Sequence, residues 1–178
     1  MRGCRSIFRL AAAVAALALT GAARDPGVRV RVDLARFELV ASDSRRPNET
    51  LTLPIATGSP AHPSPTGTYR PRAVVRNPAW HPGEQARAWG AEPMDAGADT
   101  PMGVAKIPLR GDGFALHGGA NPILVGKPVS LGCVRLSDAD MLALLDWLDR
   151  GGALAKQKPA ANGEILQPLR RPVAFEVR

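Results

Sequence analysis

From Val28 to Leu34 the chain reads VRVRVDL, and from Val173 to Arg178 it reads VAFEVR. Apolar side chains at every second position share one side only if the backbone is extended. Val28, Val30 and Val32 therefore predict a half-buried strand, and the alternation at the other end predicts a final strand over about 172–178. RFELVAS and LTLPIAT are further candidates, separated by the turn-rich SDSRRPNE. VAKIPL and GFALHGG resume the pattern after residue 103. No strand–helix–strand rhythm appears, so an antiparallel or mixed sheet is expected. With 18 Gly, 17 Pro and only 4% aromatic residues, short strands and many turns are favoured over a helical bundle. The fold class is accordingly mostly β with one or two helices, α+β.

One helix is clear. Ser137 is a suitable N-cap with Asp140 three residues on, and Met141, Leu144, Leu145 and Leu148 form one apolar face. Arg150 suits the last turn and Gly151 the stop. GSPAHPSPTGTYRP, residues 58–71, reads as a rigid loop, because three prolines hold it extended. Residues 77–103 read as a long irregular segment with a short helix near Glu84–Trp89, a candidate lid. No internal repeat or second domain is visible.

The N-terminus has the order of an export signal: Arg2, Arg5 and Arg9, an apolar run Leu10–Leu19, then small residues. Residues 1–23 are expected to be this signal, with cleavage after Ala23 and a mature domain over 24–178. The run is too short to cross a bilayer core of roughly 30 Å as a helix. The formal charge of the whole chain is +7; residues 1–23 hold three arginines and no acid, leaving +4 without them. That modest charge, with no dense basic run or aromatic stacking pattern, argues against nucleic acid as a partner. The mature chain would hold one cysteine, Cys133, and could form no internal disulfide.

A lone exported thiol is either buried and inert or exposed and reactive. Cys133 lies in a glycine-containing turn, VSLGCVRL, just before the helix. Amides exposed at such a turn can lower a thiol pKa and receive an oxyanion. Of the three histidines, His62 and His81 lie in proline-rich loops, whereas His117 ends the strand-like FAL and precedes Gly118 and Gly119. Its side chain is expected to project into space that the glycines leave clear. Cys–His pairing is a standard route to a sulfur nucleophile at neutral pH. A zinc site is not expected, since no second cysteine remains and the histidines lack ligand spacing.

LHGG followed by SLGCVRL, whose cysteine lies 16 positions after the histidine, resembles the signature of the L,D-transpeptidases, the family with the YkuD-type catalytic domain. Ser130, Gly132, Cys133 and Arg135 match it; PSPTGTYR resembles the family's Pro-x-Pro-x-Gly-x-Phe/Tyr element, and VRVDLARFELV its opening strands. The likeness covers about residues 28–150. One position departs: Leu131 stands where the family usually has His. The resemblance implies a YkuD-like β-sandwich or barrel with the catalytic cysteine on a loop before a helix. It also implies acyl transfer on peptidoglycan stem peptides through a thioester at Cys133, with His117 as general base. Gly132 and Cys133 amides would hold the oxyanion, and Ser130 would orient His117, through its carbonyl. Arg135 and Gly118 would contact substrate. No cofactor or metal is implied. The expected setting is the periplasm or cell wall, with a monomeric enzyme. The acceptor is a second stem or an outer-membrane or wall-linked protein. Water as acceptor would make it an L,D-carboxypeptidase-type hydrolase. Leu131 leaves open a non-catalytic peptidoglycan-binding module, and the thiol alone an exported redox sensor.

Overall fold

The computed structural model describes residues 27–97 and 99–178. The expected signal, residues 1–23, lies outside them. The chain runs through β1 (Val28–Asp33), β2 (Glu38–Asp43), β3 (Leu51–Pro54), β4 (Thr57–Gly58), β5 (Gly67–Tyr69) and β6 (Ala73–Arg76). After the short helix α1 (Glu84–Ala88) come β7 (Ala105–Pro108), β8 (Ala115–His117), β9 (Pro128–Ser130) and β10 (Val134–Arg135). The long helix α2 (Asp138–Arg150) precedes β11 (Lys158–Pro159), β12 (Ile165–Pro168) and β13 (Val173–Val177). The fold is mostly β with two helices.

Two sheets enclose the core. The first has the order β3-β2-β1-β13-β5 and the second β10-β8-β7-β6-β12-β11, while β4 and β9 form a separate pair. The alternation at the two chain ends explains the first sheet. Val28, Val30 and Val32 stand opposite Val173, Phe175 and Val177 in parallel register, and all six are buried. Arg29 and Arg31 fall on the outer face and are exposed. The sheets are mixed, since β1–β13, β8–β10 and β4–β9 pair in parallel.

The segment LTLPIAT divides into two strands at Ile55 and Ala56. There the Ala56 backbone leaves β3 and exchanges both hydrogen bonds with Arg135, at 2.8 Å each. The end of the proline-rich loop is also not loop: Gly67–Tyr69 pairs antiparallel with β13. Its entry needs Gly67, whose φ of +143° other residues resist.

Ser137 caps α2 as its sequence suggests, accepting the Asp140 amide at 3.1 Å. Met141, Leu144, Leu145 and Leu148 are sealed against strands of both sheets. Each such side chain contributes roughly 1.5–3 kcal/mol on burial. Leu142, off the stripe, is exposed.

An ion-pair clasp ties the open end of the first sheet to the end of α2. Asp43, closing β2, accepts two hydrogen bonds from Arg171, at 2.7 and 2.8 Å, and the Arg45 amide at 3.0 Å. Arg171 also donates to the Gly151 carbonyl, and the Arg46 guanidinium stacks 4.4 Å from the Trp147 ring centre. The Arg171 hydrogen bonds hold the buried Asp43 carboxyl down at about 2 against a desolvation penalty that acts the other way. A carboxyl lowered on folding stabilises above its unfolded pKa, near 3.8, and that stability is lost as pH falls toward 2, here about 2 kcal/mol. Asp43→Asn is expected to destabilise by roughly 3–5 kcal/mol at pH 6, by stranding Arg171. In urea unfolding, the gap between wild type and variant should narrow between about pH 4 and pH 2.

Candidate active site

β8 and β10 form a parallel ladder of two residue pairs, Leu116 with Val134 and His117 with Arg135. Paired residues of a ladder share a face, and the side alternates along each strand. Leu116 and Val134 thus point into the core, where both are fully buried. His117 and Arg135 lie on the opposite face. Cys133, one step before the ladder, takes the same side as Arg135, next to Ala115. Lys106 of β7 pairs with His117 from the other flank. One sheet face therefore carries Lys106, His117, Arg135 and Cys133.

His117 is completely buried rather than standing in clear space; Gly118 is buried with it, and only Gly119 reaches the surface. Its Nδ1 lies 2.7 Å from the Gly118 carbonyl oxygen. A carbonyl can only accept, so Nδ1 carries the proton and Nε2 keeps its lone pair. Nε2 is buried without a hydrogen-bond partner. Burying an unpaired polar atom ordinarily costs about 1–3 kcal/mol. Burial holds the imidazole pKa down at about 4, with Arg135 and Lys106 acting in the same direction. The ring is neutral near pH 7 and has a free acceptor atom.

Cys133 is half-buried and is the free cysteine among the described residues. Its thiol donates to the Gly113 carbonyl across 3.6 Å. Burial pushes its pKa up, and the Ala115 amide and Arg135 only partly offset that. The resting pair is thus thiol and neutral imidazole, not thiolate and imidazolium. Arg135 is itself largely desolvated, and its Nε has no partner.

The turn that carries Cys133 is built from Ser130 and Gly132. Ser130 is buried; its hydroxyl donates to the Cys133 carbonyl at 2.6 Å and accepts the Gly132 amide at 3.0 Å. Gly132 has φ +116° and faces the His62 and Pro63 carbonyls of the proline-rich loop. Side chains resist that backbone conformation. Three sequence expectations change here. The Ser130 carbonyl accepts the Ser59 amide and does not orient His117; Gly118 does that. The Gly132 amide is occupied by the Ser130 hydroxyl, which leaves the Cys133 amide as the turn's candidate oxyanion donor. Gly118 is buried, so it serves His117 rather than contacting substrate. Leu131 stands on the surface at 39% exposure.

Asp138 is the residue that sequence reasoning passed over. Its Oδ1 accepts the amides of Val104 and Gly119, each at 2.9 Å. A helix-opening Asp reads as ordinary dipole chemistry, so only the packing reveals where this carboxylate reaches. Among the described residues no group of three His, Cys, Asp or Glu side chains is placed to hold a metal ion.

The proline-rich loop walls the turn on one side. Its Ser64 hydroxyl accepts the Gly58 amide at 2.8 Å, and a Cβ on Gly58 would lie 2.2 Å from the His62 carbonyl. Tyr69, at its end, packs edge-on against Phe114, 5.3 Å between ring centres, just before the strand that carries His117. On the far flank the 77–103 segment is anchored by Glu164, which accepts the Ala79 amide at 2.9 Å, and by Lys106, which donates to the Ala79 carbonyl at 3.1 Å.

Comparison with known proteins agrees with this architecture. The model of the L,D-transpeptidase catalytic domain, YkuD, matches residues 27–160. The chain belongs to that family. YkuD of Bacillus subtilis (strain 168), which carries the name L,D-transpeptidase, is 28% identical over 100 residues, 56% of this chain and 49% of that protein. The chain thus spans about half the length of this curated relative. An L,D-transpeptidase from Mycobacterium smegmatis superposes with a TM-score of 0.51 at 20% identity, over 85% of this chain and 58% of that one. The catalytic domain of the E. faecium L,D-transpeptidase gives 0.56 at 14% identity, over 87% and 99%. At such identities the two structures carry the fold.

A resting thiol with a raised pKa has a measurable signature. The rate of Cys133 alkylation by iodoacetamide should keep climbing with pH beyond the range where a free thiol, near about 8.5, levels off. A plateau already reached by about pH 7 would instead reveal a preformed ion pair.

Proposed function

We propose that this protein is an exported cysteine acyltransferase that acts on peptidoglycan stem peptides. The observation that carries the reading is the orphaned Nε2 of His117 on the face that also carries Cys133, with its tautomer held by the Gly118 carbonyl. Membership of the L,D-transpeptidase family supports the substrate class. Export rests on the charged, apolar and small-residue order of residues 1–23.

In this reading the Cys133 side chain turns from the Gly113 carbonyl toward Nε2. The sulfur attacks the carbonyl carbon of the L-centre, forming the S–C bond as its proton passes to Nε2. The Cys133 amide holds the oxyanion, a contribution of roughly 3 kcal/mol for one donor. Collapse breaks the C–N bond to the terminal D-residue, and the imidazolium protonates the leaving amine. The amine of a second stem then attacks the thioester, gives its proton to His117, and releases the thiol with a new amide cross-link. Arg135, desolvated and with an unpaired Nε, is suited to a substrate carboxylate.

Starting from neutral partners suits this sequence. A base near pKa 4 is weak, so the proton moves only as the S–C bond forms, and the adjacent cations need not face an imidazolium at rest. The cost is a slow thiol at neutral pH in the absence of substrate.

A carbapenem should add its mass to the mature protein, with the adduct absent in Cys133→Ala and its formation slowed roughly 10²–10⁴-fold in His117→Ala. An unmodified wild-type mass would count against acyl transfer. Leu131 on the surface beside the nucleophile favours a second reading, binding to the wall without turnover. Retention on sacculi by both wild type and Cys133→Ala, with no change in muropeptides, would select it. Shortened monomers in place of cross-linked dimers would identify water as the acceptor.

A further inference from the structure

The Gly118–Gly119 peptide unit is hydrogen-bonded at both ends. Its carbonyl accepts the Nδ1 proton of His117 at 2.7 Å, and its amide donates to Asp138 Oδ1 at 2.9 Å. Carboxylate, amide, carbonyl and imidazole are thus connected through one planar group. An amide that donates to a carboxylate is polarised by it, and its carbonyl becomes a stronger acceptor.

The surroundings are shaped around this carboxylate. A Cβ on Gly118 would lie 2.3 Å from Asp138 Oδ1, and one on Gly103 would lie 2.2 Å from the same atom. Gly103 and Gly119 both take positive φ, +63° and +74°. The same oxygen also holds the Val104 amide, immediately before β7. One oxygen atom therefore ties the start of α2 to the turn after β8 and to the entry of β7.

We propose that Asp138 is a positioning residue of the active site, acting on His117 through the Gly118–Gly119 peptide. It aims the Gly118 carbonyl at Nδ1, so that Nε2 stays the acceptor, and it lends negative charge to an imidazole that becomes a cation during turnover. The proposal rests on the reading of His117 as the base for Cys133. The charged groups that face His117 are Lys106 from β7, Arg135 from β10 and Asp138 from α2, with the Cys133 thiol beside them. The two cations oppose protonation of the ring and Asp138 favours it. Without Asp138 the imidazolium would face two cations and no nearby anion.

Asp138→Asn keeps an oxygen at the same place and removes the charge. The chain has three histidines, so the His117 ring can be followed by NMR through a pH titration. The midpoint in Asp138→Asn should fall below that of wild type, and the acid limb of Cys133 acylation by a carbapenem should move down with it. The plateau rate should drop roughly tenfold, as when the outer partner of a functional histidine is lost. A purely structural role would lower the melting temperature and leave midpoint and limb in place, and that result overturns the proposal. Asp138→Ser, short enough for the same niche, carries the same test should the asparagine variant not fold. The two readings fail separately. Wild type that is never acylated sinks the acyl-transfer assignment, while a shifted His117 midpoint still upholds the link to Asp138. Wild type acylated at Cys133, with an unshifted midpoint in both variants, sinks only the link.

Discussion

The site depends on a parallel ladder two residue pairs long. Pairing of Leu116 with Val134 and of His117 with Arg135 puts the imidazole, the guanidinium and, one step away, the sulfur on one sheet face. A one-residue slip would turn His117 to the same side as Val134 and separate the imidazole from the sulfur. So short a ladder cannot hold its register alone. It is held from both sides: β7 pairs with β8, and Ala56 clamps the Arg135 backbone with two hydrogen bonds. Beneath it, α2 and both sheets close over Leu116 and Val134.

Electrostatics then decide the state of the pair. At the thiol, burial outweighs the neighbouring cation; at the imidazole, burial and the two cations act together. The imidazole is held neutral and the thiol protonated. This differs from an exposed cysteine–histidine ion pair, in which the thiolate exists before substrate arrives. In the proposed reaction proton transfer and attack are coupled, and a neutral Nδ1–H tautomer is the form that must be preserved. The Gly118 carbonyl preserves it, and the two cations beside the ring weigh against the charged form.

Much of the frame was legible from local pattern. Alternation located β1, β2, β7 and β13, and the apolar stripe behind Ser137 located α2 with its cap. The motif around Cys133 drew attention to the turn before α2, because glycine in a turn before a helix has a local physical meaning. β5, β6, β9, β10, β11 and β12 escaped notice. Two to four residues give too few alternations to read, and such strands exist because a partner is already in place. The orienting role expected of Ser130 falls to Gly118 for a related reason. Which carbonyl reaches an imidazole depends on the approach of segments distant in the chain, and Ser130 turned out to be engaged by Ser59.

By itself the sequence determined the mostly β class, the capped helix and the Cys133 turn before it. Each follows from side-chain periodicity, or from conformations that only certain residues adopt, over a few neighbouring positions. Tertiary structure decided that the first and last strands lie side by side, that His117 is buried and neutral, and that Asp138 reaches its peptide from 19 positions away. These are matters of register, desolvation and close approach between remote segments, and no local pattern encodes them.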